Sequence, residues 1–113
     1  LRVTFDDDKK ILTLQTPGGH TITLDDDGGS IELADSNSNK ITMDSKGITL
    51  DSGKDITLKA KSKVVVNATA DATVSGTNVT VTAKSKFAAS GNSGAEVKSS
   101  AIAVVKGSMV QIN

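Results

Sequence analysis

His20 is the only histidine in the chain, and histidine is the side chain best suited to moving protons near neutral pH. It follows the turn Pro17-Gly18-Gly19, and Asp25, Asp26 and Asp27 come soon after it. General-base chemistry would need a nucleophile and an orienting carboxylate within reach. Three consecutive acids on an extended chain point alternately to opposite faces, so they do not converge on one imidazole. His20 therefore reads as a turn residue. The run Asp25-Asp26-Asp27-Gly28-Gly29 offers hard oxygens to a calcium ion. It lacks the spaced D-x-D-x-D-G order and the distal bidentate glutamate of a calcium loop, and reads as solvated turn acids that discourage edge pairing.

Glycoside cleavage would need two carboxylates roughly 5–10 Å apart. Beyond Asp55 the acids are Asp71 and Glu96 alone, three repeats apart. At one strand spacing per repeat they lie about 14 Å from each other. Thr42, Thr49, Thr57, Thr73 and Thr80 hint at a threonine row of the ice-binding kind. Val65, Ala88, Glu96, Ala103 and Gln111 interrupt it. No catalytic residue, metal or cofactor is expected, and the chain reads as a non-enzyme.

What positions these side chains is a short repeated phrase: apolar, small polar, apolar, then a turn. The first apolar position falls at Ile41, Ile48, Ile56, Val64, Ala72, Val79, Phe87, Ala95, Ile102 and Val110, in steps of seven or eight. Two residues later stand Met43, Leu50, Leu58, Val66, Val74, Val81, Ala89, Val97, Val104 and Ile112. Period-two alternation sends both apolar side chains to one face and the middle residue to the other. The branched side chains favour extended backbone. Ser52-Gly53-Lys54, Ser75-Gly76-Thr77, Ser90-Gly91-Asn92 and Lys106-Gly107-Ser108 mark turns between strands of about five residues. No helical periodicity appears. Ahead of Ile41, Leu12-Thr13-Leu14, Ile22-Thr23-Leu24 and Ile31-Glu32-Leu33 repeat the phrase at nine- and ten-residue steps, which predicts hairpin-like turns. Residues 1–30 read as looser strands leading into a regular region over residues 31–113. Pro17, the only proline, stands outside the octads, as a hydrogen-bonded ladder requires.

The composition constrains the core. The aromatic residues are Phe5 and Phe87, and there is no cysteine for a disulfide or thiolate site. Such a chain is poorly supplied for an ordinary globular interior. Net charge is zero, so no nucleic-acid partner is expected. Residues 1–55 carry −5 and residues 56–113 carry +5, so the two halves suit different surroundings. No apolar run reaches the length of a membrane span.

Strands this short gain stability by stacking on neighbours. One chain could coil with three octads per turn. Alternatively, three chains could wind about one axis, each strand stacking on strands of its two partners, in a needle of roughly 60 Å. The small residues and the absence of a closing element favour an all-β, intertwined triple-stranded β-helix formed by a homotrimer.

The stretch Thr16-Pro17-Gly18-Gly19-His20-Thr21-Ile22-Thr23-Leu24-Asp25-Asp26 is followed by Gly29-Ser30-Ile31-Glu32-Leu33 and Asn39-Lys40-Ile41-Thr42-Met43-Asp44. Together these resemble the C-terminal region of VgrG spikes of type VI secretion systems and of the baseplate assembly protein V spikes of contractile phage tails. Gly47-Ile48-Thr49-Leu50, Asp55-Ile56-Thr57-Leu58 and the ending Gly107-Ser108-Met109-Val110-Gln111-Ile112-Asn113 are similar to the octad needle and final strand of that family.

The resemblance implies a trimeric, membrane-piercing needle whose blunt C-terminal tip receives a PAAR-repeat protein. Met109, Val110, Gln111, Ile112 and Asn113 would form that platform. Paired C-terminal histidines that bind iron in some phage spikes are absent here. Beginning at Leu1 rather than Met, the sequence reads as part of a longer spike, with tube and hub proteins engaged through the portion ahead of it. Lys84, Lys86, Lys98 and Lys106 would face the anionic target cell envelope. Such spikes are assembled in the bacterial cytoplasm and then translocated, or belong to a phage virion. The other reading is a stalk of a phage tail fibre, tailspike or adhesin binding surface glycans. It would be favoured by exposed aromatic rows, and the chain has none.

Overall fold

Alternation and punctuation produce strands at Leu12-Thr13-Leu14, Ile22-Thr23-Leu24, Ile31-Glu32-Leu33, Ile41-Thr42-Met43 and Ile48-Thr49-Leu50. A computed structural model describes all residues, Leu1–Asn113, and the chain divides into two units, Leu1–Val66 and Asn67–Asn113. The first unit holds six five-residue strands: β1 (Arg2–Asp6), β2 (Ile11–Gln15), β3 (Thr21–Asp25), β4 (Ser30–Ala34), β5 (Lys40–Asp44) and β6 (Gly47–Asp51). They form one antiparallel sheet in sequence order, a meander of five hairpins. The fold is all-β and contains no helix.

Each loop is closed by its own polar residues. Between β1 and β2, Lys9 N donates to Asp6 Oδ1 at 3.0 Å and Lys10 takes a positive φ of 54°. Between β2 and β3, Thr16 and His20 close the Pro-Gly-Gly turn. Thr16 N donates to the His20 carbonyl at 3.0 Å, and His20 N to Thr16 Oγ1 at 3.2 Å. Between β3 and β4, Gly28 N donates to Asp25 Oδ1 at 2.8 Å. The β5–β6 loop is only Ser45-Lys46, and Gly47 just after it has φ 118°, which glycine adopts without a Cβ penalty.

Two expectations change here. The seven-residue step from Ile41 to Ile48 is a hairpin, with Ile41 opposite Leu50 and Met43 opposite Ile48, rather than a stacking step. Strands were also expected at every later phrase, and none forms after Asp51. Instead the backbone bends at residues 53–54, 61–62, 69–70, 77–78, 84–85, 92–93, 100–101 and 108–109. The bends thus recur every eight residues, with a single step of seven, and the segments between them run unbent without a ladder. A ladder needs a partner strand, and this part of the chain supplies none to itself. It does not coil on itself as a single-chain solenoid. The bend glycines have a steric role: a Cβ on Gly107 would come 2.9 Å from the Met109 carbonyl oxygen.

Candidate functional site: an uncovered apolar face

The register of the sheet collects the apolar positions into two rows. One runs Val3, Leu14, Ile22, Leu33, Ile41, Leu50 across the six strands; the other runs Phe5, Leu12, Leu24, Ile31, Met43, Ile48. The opposite face carries Thr4, Thr13, Thr23, Glu32, Thr42 and Thr49 in direct register. Burial is inverted relative to a soluble sheet: Thr23, Glu32 and Thr42 are half-buried, while Ile22, Leu24, Ile31 and Leu33 are exposed. Phe5 is 73% exposed. The first row lines an open groove of about 820 Å³, and the second row, from Phe5 to Met43, lines one of about 580 Å³.

No residue of the chain is buried. The chain exposes 11129 Å² for a mass of 11.6 kDa. A folded monomer of that mass exposes about 5,800 Å². Fully burying an exposed Leu, Ile or Phe side chain is worth ~1.5–3 kcal/mol, and part of that is forgone at each of these positions. An apolar face this extensive marks an interface.

The octad region shows the same deficit in hydrogen bonds. Residues 56–113 make no backbone–backbone hydrogen bond. Folded chains make about one hydrogen bond per residue, most of them between backbone groups. Val81 and Ile112 are 67% and 91% exposed, and the other apolar residues of the phrases are likewise uncovered. The region has the bends and the apolar pattern of a solenoid, without its partners.

Where the sheet hands over to the octads lies a polar network. Asp35 Oδ1 accepts from Asn37 N at 2.8 Å and Asn39 N at 3.0 Å, and Asp35 Oδ2 accepts from Asn39 Nδ2 at 2.9 Å. Asn39 Oδ1 in turn accepts from Gly53 N at 3.0 Å. The Ser52 hydroxyl, with one proton, lies within reach of both Asn39 Oδ1 (3.1 Å) and the Asp55 carbonyl (2.8 Å). The Asn39 side chain, then the backbone amides of Asn39 and Asn37, pull the Asp35 carboxyl down to about 2. This network closes the β4–β5 loop, Asp35-Ser36-Asn37-Ser38-Asn39. Its alternating Asx residues are the signal for side-chain-closed turns.

The remaining candidates fall as follows. His20 and Asp25 sit at opposite ends of β3, so the imidazole and the Asp25–Asp27 run do not meet. No group of three or more His, Cys, Asp or Glu side chains is placed to hold a metal. Lys10 reaches Asp27 at 3.7 Å across two loops, an exposed pair of little energetic weight. Lys98 pairs with Glu96 at 2.9 Å, while Lys84, Lys86 and Lys106 are exposed without an acidic partner. Met109 to Asn113 are exposed; Met109 belongs to the last bend, and residues 110–113 follow it.

No curated protein matches the chain. Residues 10–113 match the model of a protein family described as the phage baseplate V C-terminal trimerisation domain.

Proposed function

This chain belongs to the phage baseplate V C-terminal trimerisation domain family, and from that premise we propose that three copies form a rigid, non-enzymatic needle at the end of a contractile-injection spike. The sheets of three copies share the apolar face carried by β1–β6. From Ser52 onward the three chains intertwine as a triple-stranded β-helix, each unbent segment taking its ladder partners from the other two copies. The observation that carries this reading is the octad region, bent every seven or eight residues and without one backbone–backbone hydrogen bond of its own from Ile56 onward. Only neighbouring chains supply both the missing bonds and the missing cover.

The work of such a needle is mechanical. Distorting it requires breaking many ladder bonds at once, and interlocked chains leave few free edges. In this reading Met109, Val110, Gln111, Ile112 and Asn113 are the platform for a PAAR-type tip protein, and Val110 and Ile112 fill the last apolar layer. Lys84, Lys86, Lys98 and Lys106 face the anionic target envelope. The hub and tube engage the spike ahead of Leu1, and the assembly serves either a secretion system of the VgrG type or a phage tail.

Sedimentation equilibrium of the purified chain tests the core of the proposal. The expected species has three times the 11.6 kDa chain mass. A species of 11.6 kDa at micromolar concentration overturns it.

A further inference from the structure

We propose that the β1–β6 sheet is a register template: it associates first and dictates which octad of one copy stacks on which octad of the next. The proposal rests on the trimer reading above. Residues 56–113 carry few marks by which to choose a register: Phe87 and a single seven-residue step between bends. Their phrases are near-equivalent, so Val64-Val65-Val66 and Val79-Thr80-Val81 present the same small branched faces, and a slip by one whole repeat keeps apolar on apolar. They also have nothing to gain alone, because ordering them costs conformational entropy and no intrachain ladder repays it.

The sheet is the opposite case. Its loops are four, five, four, five and two residues long, and each hairpin pairs residues close in sequence. Local pairings of this kind form early. Phe5 and Met43 break the monotony of the apolar rows, so a slipped copy meets a different neighbour. The register is then transmitted to the octads. Asn39 Oδ1 holds Gly53 N at 3.0 Å, and the Ser52 hydroxyl accepts from Lys54 N at 3.1 Å, so the first bend, at residues 53–54, is anchored to the β4–β5 loop. Every later bend is counted from that one.

Pulse-labelling hydrogen exchange during refolding of the full chain provides the test. Amides of Ile11–Asp51 are expected to gain protection at least about tenfold sooner than those of residues 56–113. Simultaneous or reversed protection overturns the template. Two full-length variants give an independent reading. Asn39→Ala is expected to slow assembly about tenfold, whereas Val104→Ala leaves assembly within about twofold and speeds dissociation instead. Assembly slowed as much by Val104→Ala as by Asn39→Ala overturns it. Sedimentation of the same samples separates the two proposals. A trimer that assembles in the wrong order sinks the template alone, and a species of 11.6 kDa sinks the trimer.

Discussion

Asn39 and Asp35 are joined twice: Asn39 donates to Asp35 Oδ1 from its backbone nitrogen at 3.0 Å and to Oδ2 from its side-chain amide at 2.9 Å. The same side chain presents its oxygen to Gly53 N and the Ser52 hydroxyl. One carboxylate thereby orients the amide that anchors the first bend of the octad region.

That arrangement has a pH signature. The folded-state pKa of Asp35 is lowered from 3.8 to about 2, so the unfolded chain binds this proton more readily. The stabilisation is fully present above pH 3.8 and is lost as pH falls through about 2. Denaturant midpoints of the native chain and Asp35→Asn should differ at pH 7 and converge toward pH 2. A difference that stays constant over this window argues against the network.

The apolar face makes a sharper demand on side-chain chemistry. Leu33 stands mid-row, between Ile22 and Ile41. In Leu33→Asp, three unpaired carboxylates would be buried when the copies meet, at a cost of several kcal/mol each. Sedimentation should find this variant dissociated. Thr49→Lys, on the opposite and exposed face of β6, should remain trimeric.

Charge distribution predicts an unusual response to salt. Parallel copies triple the −5 of residues 1–55 and the +5 of residues 56–113, placing like charge beside like charge. The Debye length falls to about 10 Å at 0.1 M salt, so screening should relieve this repulsion. The unfolding midpoint of the trimer should rise between 0.01 and about 0.2 M sodium chloride. A falling midpoint points to antiparallel copies, in which opposite charges face each other.

The tip can be separated from the shaft. Deleting residues 109–113 removes one apolar pair, Val110 and Ile112, from a long series. Trimer mass should survive the deletion, while capture of a PAAR-type protein by pull-down should be lost. Retained capture places the platform elsewhere.

The lysines call for a membrane measurement. Replacing Lys84, Lys86, Lys98 and Lys106 by Gln removes four charges per copy from the basic half. Co-sedimentation with anionic vesicles should drop well below that of the native chain, and more so at low salt. Equal binding removes the electrostatic role.

Much of this architecture was legible because strand alternation and turn chemistry are local properties. The two-residue spacing of Ile22 and Leu24, or of Val79 and Val81, already assigns one face, and the eight-residue beat already locates the bends. The positions of His20 and Asp25 at opposite ends of β3 follow equally from local spacing. The choice of pairing partner is not local. Ile41-Thr42-Met43 and Ile56-Thr57-Leu58 read alike, yet the first is half of a hairpin and the second has no partner in its own chain. Two residues of loop and a left-handed Gly47 make that difference, and it emerges only when backbone bonds are counted in three dimensions. The Asn39 anchor is invisible for the same reason, since its partners lie 13 and 14 residues away. By itself the sequence determined the periodicity, the apolar face and the thin supply of core side chains. Tertiary structure alone decided where self-pairing stops, because a strand's hydrogen bonds belong to whichever chain comes to lie beside it.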